Sequence, residues 1–163
     1  MVRLYGLSSR TAPDDWQTMD SIITTIDAAV ARAAAVRPRV GGFPYLAESL
    51  RDAGVTIYYF DVPSGTVLYA TNSGDVLQPG AFLRTETTLA PPFDRAALVD
   101  AIRADQRGES AFAEFVEATW RAGVIRYEVD TIARTCSYFG AHGERYVENY
   151  PAVLLPREAV SSA

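Results

Sequence analysis

AGVTIYYFDVPSGTVLYATNSG, residues 53–74, is the stretch that decides the fold, because a related stretch follows 69 positions later: AGVIRYEVDTIARTCSYFGAHG, residues 122–143. The match runs without a gap from residues 43–77 onto residues 112–146, and ten of the 35 aligned pairs are identical. Chance would give only about two or three identities, so we interpret the chain as an internal duplication. Each copy therefore checks the structural interpretation of the other.

Each copy predicts a three-stranded antiparallel meander. In the first copy, residues 55–62 are β-branched and aromatic, residues 66–71 return, and a short third strand is expected at residues 76–78. Val62-Pro63-Ser64-Gly65 has proline at its second position and glycine at its fourth, which favours a type I turn. The first two strands are therefore predicted to form a tight hairpin.

The turn also determines which residues pair across that hairpin. It places Tyr58 opposite Tyr69, and the same register places Tyr127 opposite Tyr138 in the second copy. The aspartate shared by the copies, Asp130 in the second, is expected to hydrogen-bond the threonine opposite it. Most identities then belong to the scaffold, so the positions at which the copies differ become the first candidates for chemistry.

Two helices are predicted before each meander. Apolar residues recur at helical spacing from about Pro13 to the RPR stretch at 37–39, and a second helix is predicted from Phe43 to Ala53. Asp94 and Ser110 are the predicted N-caps of the helices in the second copy. The glycine before the first strand of each copy is the predicted left-handed C-terminal cap.

These elements predict a single α+β domain, residues 1–163, built from two helix–helix–meander units with pseudo-twofold symmetry. Helices are expected to cover one face of the sheet, with Phe112, Phe115 and Trp120 forming a core stripe. The predicted segments are an N-terminal arm (1–12), repeat one (about 13–78), a connection (79–93), repeat two (about 94–150) and a tail (151–163).

Composition narrows the class of function. The net charge is −5 with no basic cluster, and no apolar run approaches the roughly 20 residues of a membrane span, so neither nucleic acid nor membrane is a predicted partner. A single cysteine and the lack of a leader predict a cytoplasmic protein. All 15 cationic side chains are arginine, which excludes a Schiff-base lysine and a Walker-type lysine within this sequence.

The second copy carries a family resemblance. AGV-x-x-Y-x-x-D, the preceding helix AFAEFVEATWR and the ending GERYVENYP stand in the order found in the YbcV-like proteins, which the chain resembles over about residues 20–155. These are uncharacterised bacterial and prophage-borne proteins, sometimes labelled phage envelope proteins. The resemblance is densest over residues 110–151. It implies an α+β fold but brings no agreed activity and no catalytic residues.

One strand face differs strongly between the copies and is the predicted site. Arg126, Glu128 and Asp130 alternate along the first strand of the second copy, where the first copy has Ile57, Tyr59 and Asp61. A solvated sheet surface is the simpler interpretation. In the alternative, the meanders enclose a cleft in which Glu128 is the catalytic acid or base, Arg126 and Asp130 bind the ligand, and Tyr59 packs on it.

His142 and Cys136 are the remaining reactive side chains. His142 lies in the hairpin tip 140–143, and because imidazole titrates near neutrality it is the second predicted catalytic group, although an exposed turn residue is the simpler interpretation. Cys136 is predicted to be buried, since copy one has Val67 there. One histidine and one cysteine without an evident carboxylate cluster do not predict a metal site, and no cofactor is predicted.

Two functions of different classes remain open. The first is a cofactor-independent enzyme that acts on a small organic molecule by acid/base chemistry, such as an isomerase, cyclase or dehydratase. The second is a non-catalytic module that binds a small ligand or protein, with a homodimer formed through an exposed sheet edge. An enclosed cavity lined by Arg126, Glu128 and Tyr59 would favour the enzyme, and if these residues lie on a flat, solvated sheet with no pocket, the enzyme hypothesis fails.

Overall fold

The computed structural model describes residues 16–157, of which 16–18 are described by their backbone alone. The predicted N-terminal arm (1–12), the predicted helix start near Pro13 and the last six residues of the tail lie outside the described residues. No helix within the described part of the chain is both long enough and apolar enough to cross a membrane.

The described residues form four helices and one six-stranded antiparallel sheet, so the predicted α+β class is confirmed. Along the chain the elements are α1 (Trp16–Val36), α2 (Phe43–Asp52), β1 (Val55–Asp61), β2 (Val67–Thr71), β3 (Val76–Gln78), α3 (Arg95–Gln106), α4 (Phe112–Arg121), β4 (Val124–Asp130), β5 (Thr135–Gly140) and β6 (Arg145–Asn149). The strand order across the sheet is β3-β2-β1-β4-β5-β6, so the two meanders join edge to edge through β1 and β4.

The predicted hairpin registers are confirmed. Tyr58 pairs with Tyr69, and Tyr127 pairs with Tyr138. The expected aspartate–threonine hydrogen bond is not found, because Asp130 instead accepts from the backbone N–H groups of Ile132 and Ala133 at 2.9 and 2.8 Å. An aspartate at a turn satisfies the nearest backbone donors before it reaches across the hairpin.

The helix ends follow local capping chemistry, with one correction. Gly54 and Gly123 adopt φ of 91° and 82° after α2 and α4, and the Asp94 carboxylate accepts from the Ala97 backbone as the predicted N-cap of α3. Ser110 does not cap α4: Ala111 is the N-cap residue, and its N–H donates to the Glu114 carboxylate at 2.7 Å. Glu114, at the third helical position, instead satisfies the N–H of the N-cap residue, and its negative charge stabilises the N-terminus of α4.

Alternation along the strands divides the sheet into a helix side and an open face. On the helix side, one tyrosine from each of β1, β2, β4 and β5 joins the core: Tyr58, Tyr69, Tyr127 and Tyr138. The helices contribute Leu50, Leu98, Ile102, Phe115 and Trp120 to the same core. Phe112 is not part of the predicted core stripe, because it is 56% exposed at the first turn of α4 and contacts Phe60 only by its ring edge. The open face carries the opposite side chains and contributes nothing to that core.

Candidate functional site

A cavity of about 1200 Å³ lies between the helix side of the sheet and the loops that join the helices within each pair. We call it the central cavity. Its floor is formed by side chains of β1, β4, β5 and β6: Tyr58, Tyr127, Cys136, Tyr138 and Glu148. The volume is ample for a small organic molecule, since ligand sites usually measure about 300–1,000 Å³.

The roof of the cavity joins the two helix pairs. The α1–α2 loop and the α3–α4 loop meet there: the Gly41 N–H donates to the Gln106 carbonyl at 3.1 Å, and the Arg39 Nε donates to the Gly108 carbonyl at 3.4 Å. A Cβ at Gly108 would lie 2.7 Å from the Arg39 carbonyl oxygen, so glycine is required for this approach. The cavity is therefore bounded by chain segments that are far apart in sequence.

The tyrosines of the floor are neutral hydrogen-bond donors. Burial is the main cause that raises the pKa of Tyr58, Tyr127 and Tyr138 well above the ordinary value. Among the described residues, the hydroxyls of Tyr69, Tyr138, Tyr146 and Tyr150 make hydrogen bonds, and those of Tyr58 and Tyr127 make none. The latter two hydroxyls can therefore donate to a molecule in the cavity.

Cys136 is buried beside these tyrosines, as predicted. Burial raises the pKa of its thiol to about 12, while a hydrogen bond with the Tyr138 hydroxyl opposes that rise. A thiol in this environment stays protonated at neutral pH, and a nucleophilic cysteine needs the thiolate. Cys136 therefore lines the cavity as a small apolar group.

Four carboxyl groups line the cavity, and two of them, Asp105 and Glu148, lie in contrasting environments. Burial raises the pKa of Asp105, although the nearby Arg37 opposes the rise, and no described side chain forms an ion pair with its carboxylate. Burial also raises the pKa of Glu148, but hydrogen bonds from Arg103, at 2.9 Å, and from Tyr146 outweigh it and hold the pKa below the ordinary value. Burial thus favours the neutral form of Asp105, whereas Arg103 and Tyr146 favour the ionised form of Glu148.

Comparison with known proteins places the chain in a family. A family model described as "Protein of unknown function (DUF1398)" matches residues 33–149. This chain belongs to the DUF1398 family. Uncharacterized proteins of Mycobacterium bovis and of Mycobacterium tuberculosis are each 49% identical to it over 137 residues, which cover 84% of this chain and 84% of each relative.

The DUF1398 chain holds most of the residues predicted as a site on the open face, away from the central cavity. Tyr59 pairs with Glu128 across the junction of β1 and β4, and neither lines the cavity. Arg126 is exposed, with its guanidinium 4.6 Å from the centre of the Phe139 ring. The structure therefore brings these residues together on a surface rather than in an enclosed cleft. The Asp130 carboxylate caps the turn that follows β4.

His142, the other predicted catalytic residue, is exposed at the turn between β5 and β6. Its backbone N–H donates to the Glu144 carboxylate at 2.9 Å, and its side chain does not line the central cavity. Within the part of the DUF1398 chain that the structure describes, no three His, Cys, Asp or Glu side chains are grouped closely enough to hold a metal ion.

Sequence reasoning missed the residues that line the cavity floor. Tyr58 and Tyr127 were assigned to the scaffold because both copies share them, yet both also line the cavity with free hydroxyls. Their identity between the two copies was the only sequence signal that could have drawn attention to them. Asp105 carried none: it lies in the last turn of α3, in a helix of ordinary composition, and only the packing of α3 against the sheet brings it near Tyr127.

Proposed function

We propose that this DUF1398 chain binds a small, largely apolar organic molecule in the central cavity and acts on it by cofactor-independent acid/base chemistry. The observation that carries the proposal is the meeting of unpaired Asp105 with the free hydroxyls of Tyr58 and Tyr127 around one cavity. Apolar walls with a few convergent polar groups are the usual composition of small-molecule sites.

The chemistry that suits this arrangement is proton transfer next to a carbonyl group. A tyrosine hydroxyl donates to the carbonyl oxygen of the ligand, and the Asp105 carboxylate takes a proton from the adjacent carbon. The electron pair of the C–H bond forms the enolate C=C bond, and negative charge moves to the oxygen that the tyrosine stabilises. In a β,γ-unsaturated ketone the electron pair extends over a dienolate, so the proton on Asp105 can return to the γ carbon. The C=C bond then lies in conjugation with the carbonyl group, and the Asp105 carboxylate is regenerated.

Ligand binding is tested with prodan, a neutral naphthyl ketone dye whose emission shifts to longer wavelength when its ketone accepts a hydrogen bond. We expect the wild-type chain to bind the dye, and Tyr127→Phe to shift the bound emission to shorter wavelength and weaken binding about tenfold. Tyr59→Phe is the matched control, because its hydroxyl lies on the open face. Equal effects of the two variants would contradict the proposed site.

Catalysis is tested by deuterium uptake from D₂O into a panel of cyclic unsaturated ketones, followed by mass spectrometry. Asp105→Asn is expected to lower the uptake rate at least about 100-fold while prodan still binds. Asp100→Asn, on an exposed position of the same helix, is the control. Uptake that survives in Asp105→Asn would remove Asp105 from the mechanism.

A non-catalytic ligand-binding module is the second candidate. The paired state of Glu148 favours it, because a carboxylate fixed by Arg103 and Tyr146 is suited to recognition rather than to proton transfer. Dye binding that depends on Tyr127, with no deuterium uptake by any ketone tested, would support the module over the enzyme.

We also propose that the fold arose by internal duplication and that the family is YbcV-like. The β1–β4 register supports the duplication, because the pairs Tyr58–Val129 and Phe60–Tyr127 exchange when each residue is moved by 69 positions. A cytoplasmic location and the absence of nucleic-acid and membrane partners remain proposals from composition. Fluorescence microscopy of cells that express the tagged protein would test the location.

A further inference from the structure

One row of side chains crosses the open face of the sheet, and the residues at its two ends are apolar and exposed. Across the six strands, the central row is formed by Leu77, Leu68, Tyr59, Glu128, Ser137 and Val147. Leu77 is 64% exposed and Val147 is 42% exposed. The described helices contribute to the core on the other side of the sheet. Within the row, Ser137 is buried among its neighbours, and Tyr59, Leu68 and Glu128 are half-buried.

The charges on this face complement each other within one chain. Arg126 and Glu128 lie two residues apart on the same side of β4, and neither has an ion-pair partner among the described residues. A twofold axis that crosses the strands at the level of Tyr127 places Arg126 of each copy opposite Glu128 of the other. The same operation lays Tyr59 of each copy over Asp61 of the other, because Tyr59 is level with Glu128 and Asp61 is level with Arg126.

The area of the face is also sufficient. Six strands of three to seven residues occupy a flat outline of roughly 500 Å², from the usual strand spacing and rise. Side chains that stand on a pleated sheet expose more than this outline, so two faces bury on the order of the 1,200 Å² found in the smaller specific interfaces. Sheets in such packings lie about 10 Å apart with nearly aligned strands.

We infer that two copies of this chain pack open face against open face as an isologous dimer, held by reciprocal Arg126–Glu128 pairs and by burial of Tyr59 and Leu68. The charges favour a second copy over an unrelated partner, because Arg126 and Glu128 each lie opposite a residue of the other sign on an identical surface. Tyrosine and arginine beside leucine are also typical of interface cores. The inference is independent of the function proposed for the central cavity.

The test is the mass in solution by light scattering and sedimentation velocity between 1 and 200 µM, for which a chain of 17.8 kDa should give a species of about twice that mass. Arg126→Glu should raise the dimer dissociation constant at least about 100-fold, because symmetry creates two like-charge contacts. The double variant R126E/E128R should restore it to within about tenfold of wild type, since the pairs re-form with exchanged signs.

Matched controls separate the face from general effects of charge. Leu68→Asp should abolish the dimer, whereas Leu154→Asp should not, because Leu154 lies in the tail and is 94% exposed. Glu86→Arg, in the exposed connection, is the control for charge reversal. Circular dichroism checks that each variant is folded.

Two results would overturn the inference. One is a monomer at every concentration. If removal of residues 1–12 from that monomer then increased hydrogen exchange in the strands of the sheet, the open face would be occupied by that segment of the same chain instead of by a second copy. The other is a dimer that Arg126→Glu and Leu68→Asp leave intact, which would assign association to the edge strands β3 or β6.

Discussion

At the scale of single residues, the two C-cap glycines show how equivalent positions can face different constraints. Gly54 and Gly123 both have positive φ, but a Cβ at Gly54 would meet nothing within 4 Å. A Cβ at Gly123 would lie 2.4 Å from the Pro92 carbonyl oxygen and 2.6 Å from the Phe93 Cα. The second glycine is thus required by its backbone conformation and by the chain that crosses it.

We therefore expect Gly54→Ala and Gly123→Ala to differ in stability. Gly54→Ala should lower the free energy of unfolding by about 1 kcal/mol, the cost of a left-handed conformation for a residue with a Cβ. Gly123→Ala should lower it by about 3 kcal/mol, because the clash with the connection adds to that cost. Urea denaturation measures both, and equal losses would show that the connection moves away at no cost.

Cys136 allows a prediction about reactivity. Its thiol is 4% exposed, and burial raises its pKa to about 12, so the thiolate is scarce at pH 8. Alkylation by iodoacetamide in the native state should therefore be at least about 1,000-fold slower than for an exposed cysteine, and urea should abolish the difference. Rapid native alkylation would show that the cavity floor opens to reagents.

At the scale of elements, the connection between β3 and α3 is fastened to α4 by one ion-pair cluster. Arg84 donates to both carboxylate oxygens of Glu117, at 2.8 and 3.2 Å, and Arg121 donates to the same carboxylate at 3.1 Å. Hydrogen bonding from Arg84 is the first cause that lowers the pKa of Glu117. Each arginine of the cluster therefore favours the ionised carboxylate.

The cluster should make stability depend on pH in a defined direction. Because the pKa of Glu117 is lower in the folded chain, the stabilisation is present above the unfolded-state pKa of about 4.3 and is lost as pH falls below it. Glu117→Gln should cost about 1 kcal/mol at pH 7 and little at pH 3. Urea denaturation at both values tests this, with Glu86→Gln as the control; a difference that persists at pH 3 would point to packing rather than charge.

At the scale of the whole molecule, the sheet separates two surfaces with different roles. The helix side holds the central cavity, and the open face holds the Arg126–Glu128 surface. We expect Tyr127→Phe to change prodan emission without changing the solution mass, and Arg126→Glu to do the reverse. Arg126 and Tyr127 are consecutive residues, but their side chains lie on opposite faces of the sheet, so the double variant should show both changes unaltered. Coupling between them would show that the sheet transmits one event to the other side.

The sequence by itself determined the elements and their local pairing. Turn chemistry at Pro63, the glycine caps and the alternation of β1 are properties of neighbouring residues, so they could be predicted, and the hairpin registers followed from them. The open-face residues Tyr59, Arg126 and Glu128 were also predicted to share a face. Ser110 was wrongly predicted as the N-cap and Phe112 as a core residue, because the start of α4 and the burial of its first turn depend on tertiary packing.

Only the tertiary structure decided where a ligand could enter. The cavity exists because two helix pairs meet through loops about 70 residues apart, and because α3 brings Asp105 toward tyrosines of the sheet. These contacts join segments without any local pattern that specifies them, and their geometry depends on how whole faces pack. The sequence pattern predicted Tyr58 and Tyr127 as scaffold residues, and the packing of the helix pairs on the sheet made them the floor of a candidate site.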